Sequence, residues 1–504
     1  MKILQIFFAI LLIECGTIFY GSCQQIFSQI VNPLNEFSGL LGNQASKVAS
    51  QIFPNEPNNP GRVVANYAGE PEAEMSVPQL IRHWGYPVET YQATTKDGYI
   101  LTLHRIPYGR HQSSGAIGKP IVFLQHGLLC TSSVWIMNLP HQSPGFMFAD
   151  EGFDVWMGNV RGNTYSKKHR KPDIRQSEYW HFTWDEHAKY DLEAMIDQVL
   201  SITGQKQLYY LGHSQGTLTM FSKLATDDGL NDKIKKFFAV APVGTVAHVK
   251  GLFRYLGENS YQQLSLFTML FGDQEFLPNT IISRWLTELI CGLASSNPMC
   301  ENFLFLVSGP DSRQLNKTRI GIYLAHNPAG TSTRNILHFT QMVKHRKHLA
   351  FDYGRKENMI RYGRPTPLAY NISRIRVPMY LYYSDADWLA TSSDIQEYLL
   401  PNLNKLWLRE AKNLNDFNHN DFLWGLRAPT EVYRPIIDII LQDLPATTTV
   451  KGPKTTSTTE PPSFFQEPDG DVEDSDLLRK IRNIHLSRNI TDDDYNLLKN
   501  PISQ

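Results

Sequence analysis

Charge of one sign is missing from this chain: over 504 residues, 48 lysines and arginines stand against 49 aspartates and glutamates, a formal net charge of −1. Without a basic excess there is no electrostatic footprint for nucleic acid and no strongly cationic membrane-binding face. Internal repeats are absent, which removes solenoid and propeller architectures. Long apolar runs are confined to the N-terminus, and no later stretch approaches the roughly 20 residues of a bilayer span. Cysteine is scarce, with five in all. Apolar residues are plentiful: hydrophobic types make up 42% of the chain and aromatics 12%, so a large core can be buried.

The chain opens MKILQIFFAILLIECGTIFYGSCQQ, with Lys2 before an apolar run from Ile3 to Ile13 and Gly21-Ser22-Cys23 before Gln24. This is the pattern of a secretory signal peptide over residues 1–23. Its removal takes Cys15 and Cys23 and leaves Cys130, Cys291 and Cys300 in an oxidising compartment. Cys291 and Cys300 bound a loop short enough to close as a disulfide, with Cys130 left free. The sequons at Asn316, Asn371 and Asn489 agree with passage through the secretory pathway.

Residues 24–75 lack sustained periodicity and read as a loosely ordered leader or propeptide. Between 76 and 444 short β-rich runs alternate with helical segments, the texture of an α/β sheet. Candidate strands are 120–125, 153–159, 207–212, 236–242, 377–383 and 405–410, mostly continuous apolar runs that suit strands covered on both faces. Residues 91–106 read as an antiparallel hairpin turning at Lys96-Asp97-Gly98. A helical insertion over about 246–319 (LFRYL, LSLFTMLFG, ISRWLTELI, ENFLFLVSG) is either a buried layer or a cap with an apolar underside. Residues 445–504 hold a Thr/Pro-rich linker and an acidic tail, which are expected to be disordered.

The stretch YYLGHSQGTL, 209–218, carries the chemistry. A G-x-S-x-G pentapeptide arises readily by chance, but here it leaves an apolar strand and enters a helix, which is the context of a nucleophile elbow. Glycines at 212 and 216 leave room for a strained turn that lifts Ser214 above the sheet. A serine hydroxyl needs a histidine base and a carboxylate to orient that base. Asp385 and Asp387 follow the strand at 377–383, and His419 follows the strand at 405–410, in the order Ser, Asp, His. Two amides must hold the developing oxyanion; Gln215 supplies one, and Leu128, after His126-Gly127, is the candidate for the other.

The chain resembles the acid lipase family of α/β hydrolases, the group of gastric and lysosomal acid lipases. The resemblance rests on HWGYP (83–87), DGYIL (97–101), LQHGLL (124–129), GNVRGNTYS (158–166), KYDL (189–192), GHSQG (212–216), HNPAGTS (326–332) and NHNDF (418–422). It implies an α/β-hydrolase fold with a mostly parallel central sheet and a helical cap or lid. It further implies Ser214 as nucleophile, His419 as base, Leu128 and Gln215 as oxyanion donors, and a Cys291–Cys300 disulfide. Of the two aspartates it favours Asp387, just before Leu389-Ala390. LFLVSG stands around Ser308 where some members carry a further cysteine, and Cys130 departs from the pattern as a small buried residue.

The expected activity is hydrolysis of neutral lipid acyl esters such as triacylglycerols at a lipid–water interface, by a secreted or lysosomal protein. Neither metal nor cofactor is called for, and the oligomeric state is left open. The alternatives are a lipid-binding protein on a lipase scaffold that no longer turns over, which a filled triad disfavours, and a carboxylesterase for soluble esters, which the apolar insertion disfavours.

Overall fold

In the computed structural model the described residues are 71–112, 118–251 and 307–444, with parts of 253–279 between them. The signal sequence, Cys291, Cys300, Asn489 and the C-terminal extension lie outside them. The strands are β1 (Glu89–Thr94), β2 (Tyr99–Ile106), β3 (Ile121–Gln125), β4 (Asp154–Met157), β5 (Lys168–His169), β6 (Leu208–His213), β7 (Ile234–Val240), β8 (Glu275–Phe276), β9 (Thr331–Ser332), β10 (Met379–Tyr383) and β11 (Leu408–Asn413). Nine of them form one sheet in the order β1-β2-β4-β3-β6-β7-β10-β11, with β5 on β2, while β8 and β9 pair separately. From β4 to β11 every pairing is parallel, and β1, β2 and β5 join antiparallel.

The continuous apolar runs resolve into two alternating faces. Val122, Leu124, Tyr209, Leu211, Phe238 and Val240 point into one core, and Phe123, Leu208, Tyr210, Phe237 and Ala239 into the other. Successive side chains on a strand face opposite ways, so a strand sandwiched between helical layers is apolar on both faces. Helices Leu192–Thr203 and Gln215–Thr226 flank β6 in the chain, as parallel crossovers require.

Most strand ends shift by up to two residues from the sequence expectation, and three larger differences stand out. The last strand is Leu408–Asn413, because the Asn404 side chain accepts from Leu406 N and its carbonyl from Trp407 N, so residues 404–407 make a turn and Leu406 is exposed. Pro71–Ala73, expected within the loose leader, forms a 3-10 turn. Glu72 there is buried in an ion pair with Arg319 and accepts from Trp84 Nε1 at 2.9 Å, a partnership between residues far apart in the chain. The helical excursion after β7 also runs past Arg319, through Ile320–His326, Thr333–His345 and Arg355–Tyr362, before β10 resumes the sheet. Of the expected insertion helices, those within 280–306 lie outside the described residues, and among the described residues no helix is long and apolar enough to cross a membrane.

Against the helix Gln215–Thr226, Trp184 stacks on His338 at 4.1 Å between ring centroids and leans on His348 and Tyr370. His348 Nε2 lies 2.8 Å from Ser222 Oγ. Burial pushes both imidazoles down to about 3, so they stay neutral in the fold. An unfolded chain would protonate them below about pH 6.5, so folding stability falls with pH, by roughly 3 kcal/mol per imidazole on reaching pH 4. Partly buried Asp185 and fully buried Asp191, raised by desolvation to about 6, act in the opposite sense. The test is therefore a difference: His348→Gln should lose less unfolding free energy between pH 6.5 and 4 than the parent protein, and equal losses would contradict the assignment.

Candidate active site

The segments that carry the expected chemistry all leave the carboxyl ends of parallel strands, where open α/β sheets form their sites. At the end of β6, Ser214 takes φ 54° and ψ −121°, and the helix Gln215–Thr226 begins at once. A non-glycine residue there costs of order 1–3 kcal/mol and persists only where the surroundings enforce it. A Cβ on Gly216 would sit 2.4 Å from the Gln125 carbonyl oxygen, and one on Gly212 would sit 2.9 Å from the Gly216 carbonyl. Both glycines are thus required by backbone closeness. Ser214 keeps partial exposure between buried His213 and Gln215.

Of the two aspartates after β10, the structure brings only Asp387 to the histidine. Asp387 is fully buried, its Oδ2 lies 2.8 Å from His419 Nδ1, and its Oδ1 accepts from the amides of Leu389 and Ala390 at 2.8 and 2.9 Å. Asp385 is exposed and accepts from Asn413 Nδ2. A buried carboxylate accepting three hydrogen bonds needs a proton on His419 Nδ1, which leaves Nε2 free to accept. The His419 turn is braced by Asn418, whose amide donates to Asp421 Oδ2 at 2.7 Å and whose side-chain oxygen accepts from Asn420 and Asp421. Burial pushes Asp421 up to about 7. His213, next to Ser214, lies 4.8 Å from His419 between ring centroids and bonds its carbonyl through Nε2 at 3.1 Å. These contacts bring the histidine to the elbow.

The loop after β3 closes on the same place, since a Cβ on Gly127 would lie 2.9 Å from Ser214 Cβ. Here the structure adds a residue that the sequence left as part of a turn. His126 Nε2 accepts from the Val160 amide at 3.3 Å and from Asn163 Nδ2 at 3.1 Å, so the proton sits on Nδ1 and is donated to the Gly127 carbonyl at 2.8 Å. That carbonyl and the Leu128 N–H belong to one trans peptide, so holding the oxygen on one side points the N–H to the other. Burial pushes the His126 imidazole down to about 4, which preserves this tautomer.

Asn159 Oδ1 accepts from Ser132 N at 3.0 Å, and Asn163 Nδ2 reaches the Cys130 carbonyl at 3.4 Å. The two asparagines of GNVRGNTYS thus frame the loop, and their only local signal was a repeated Gly-Asn. Arg161 between them is buried, paired to Asp97 and Asp191, with its guanidinium 3.9 Å from the Tyr99 ring centroid. Cys130 keeps some exposed surface, so it is less enclosed than expected, yet desolvation raises its thiol to about 12, outside the reactive range.

Residues 77–139 match the partial alpha/beta-hydrolase lipase region, and residues 120–426 match the alpha/beta hydrolase fold. Lipase lipl-1 of Caenorhabditis elegans is 50% identical over 384 residues, covering 76% of this chain and 95% of that protein. The gastric triacylglycerol lipase of Homo sapiens is 43% identical over 378 residues, 75% of this chain and 94% of its own. The lysosomal acid lipase/cholesteryl ester hydrolase of Homo sapiens is 44% identical over 374 residues, 74% and 92% respectively. With that identity over nearly the whole of each relative, this chain belongs to the acid lipase family of α/β hydrolases.

Proposed function

We propose that this chain is a lipase, a serine hydrolase that cleaves acyl esters of neutral lipids, with triacylglycerols as the reference substrate. The observation that carries the reading is the strained Ser214 elbow set beside a His419 whose Nδ1 is held by the buried Asp387. Ser214 Oγ attacks the ester carbonyl as His419 Nε2 takes its proton. The Leu128 and Gln215 amides hold the oxyanion, and His419 returns the proton to the departing alcohol. Water, deprotonated by the same histidine, then attacks the acyl-enzyme; Ser214 recovers its proton and the fatty acid leaves.

The names of the relatives support triacylglycerol and sterol esters as the panel to try. They also support a route through the secretory pathway to the lysosome or the exterior, and the apolar pieces of the sequence over about 246–319 are the reason to propose that segment as the cap. Glycosylation is proposed at Asn371, which is exposed with its Oδ1 accepting from the Ser373 hydroxyl at 2.7 Å. It is also proposed at Asn316, which holds Thr318 in the same way, and at Asn489.

Initial rates on a short-chain triacylglycerol, followed through its solubility limit, test the substrate class. A lipase accelerates once an emulsion forms. Saturation below the limit with no further rise marks a soluble carboxylesterase, and emulsion binding without turnover marks a lipid-binding scaffold; either outcome overturns the reading.

A further inference from the structure

The motif HNPAGTS, 326–332, has no part in the chemistry so far, yet it is bonded to the residue beside one oxyanion donor and leads into a helix bonded to the other. The Ala329 amide donates to the Leu129 carbonyl at 2.7 Å, and the Ala329 carbonyl accepts from the Thr164 amide at 3.0 Å. Leu129, the residue after the Leu128 donor, stands at φ 60°. This left-handed backbone in a leucine needs an outside partner to hold it. Gly330, at φ 89°, lets the chain lie against the Gly162 carbonyl, 3.2 Å from where a Cβ would be.

Five residues on, Asn335 sits in the first turn of the helix Thr333–His345. Its Nδ2 donates to Gln215 Oε1 at 2.9 Å and to Thr331 Oγ1 at 3.0 Å. The other end of the Gln215 amide lies 3.3 Å from Nδ1 of the buried His187. Gln215 and Asn335 are both buried. The residue whose backbone N–H faces the oxyanion therefore has its side chain locked at the tip, in a place where an unmet amide oxygen is strongly disfavoured.

Resting on the serine hydrolase reading above, we propose that Asn335 is a positioning residue that sets the oxyanion hole through Gln215, carried on a strap whose Ala329 amide fixes the other side of the hole. Without Asn335 the Gln215 side chain must turn to find a new partner, and the strain falls on its own N–H, which the Thr217 and Leu218 amides hold only through the Ser214 carbonyl. The loss falls on the transition state, because the oxyanion bond is made only there, and ground-state binding of the ester is spared.

The test is a double-mutant cycle on the full-length protein with a soluble short-chain ester. Asn335→Ala should lower kcat about tenfold or more with KM changed less than about twofold, somewhat short of the loss of a whole oxyanion donor. Gln215→Ala should show a similar loss, and Asn335→Ala should cost nothing further on that background. Additive losses, an unchanged kcat or a loss confined to KM would overturn the proposal. Asn335→Leu keeps the side-chain volume without the donor, so if Asn335→Ala does not fold the same cycle runs with leucine. Stoichiometric labelling of each variant by a fluorophosphonate separates the two readings. Full labelling with slow turnover isolates the oxyanion hole, whereas failure of the parent protein to label strikes at Ser214 itself.

Discussion

Replacing Ser214 by alanine is expected to lower ester hydrolysis by at least about 10⁴-fold, because what remains is only the oxyanion hole and substrate binding. The substitution should not unfold the protein. Alanine tolerates φ 54° no better than serine, and the turn is enforced from outside by the close backbone packing at Gly212 and Gly216 and by the Thr217 and Leu218 amides on the Ser214 carbonyl. The thermal midpoint of Ser214→Ala should therefore lie within a few degrees of the parent's, while the initial rate on an emulsified triacylglycerol falls to the blank. Residual turnover above that level would require another nucleophile and would sink the assignment.

The second large effect separates two neighbouring aspartates. Asp387→Asn keeps the shape of the side chain but puts an amide where the His419 Nδ1 proton now points. Either the imidazole moves its proton to Nε2 and ceases to be a base, or two donors face each other 2.8 Å apart. A loss of about 10⁴-fold in kcat is expected, near 5 kcal/mol of transition-state stabilisation. Asp385→Asn, on an exposed carboxylate bonded to Asn413, should stay within about twofold of the parent. The reverse outcome, with Asp385 essential and Asp387 dispensable, would contradict the geometry.

The sequence carried the sheet and the elbow because both are local in their physics. A strand between two helical layers is apolar on both faces over most of its length, so β3, β4, β6, β7 and β10 announce themselves as runs. The elbow announces itself as glycines around a serine at a strand end. The last strand was harder, since β11 is a half-exposed edge and its apolar prelude Leu406-Trp407 belongs to a turn initiated by Asn404. Residues 387 and 385 have the same chemistry and almost the same place in the chain. What divides them is the pair of amides at Leu389 and Ala390 and the approach of His419, which only the fold supplies.

Least legible were the residues that act on the site without entering it. His126, Asn159, Asn163 and Asn335 reach partners across the fold, and no periodicity or spacing marks such contacts. Glu72 is a further case, an acid in a polar leader that is buried by a guanidinium far along the chain. In each case the sequence gives the residue type, and the tertiary partner gives its meaning.

The central claim is that Ser214 is an activated nucleophile, and active-site labelling tests it most directly. Treating catalytically active protein with a fluorophosphonate and mapping the adduct by mass spectrometry should give one modification, on the peptide containing Ser214, with activity lost in proportion to labelling. An adduct on any other residue that abolishes activity, or full activity after complete modification of Ser214, would contradict the account.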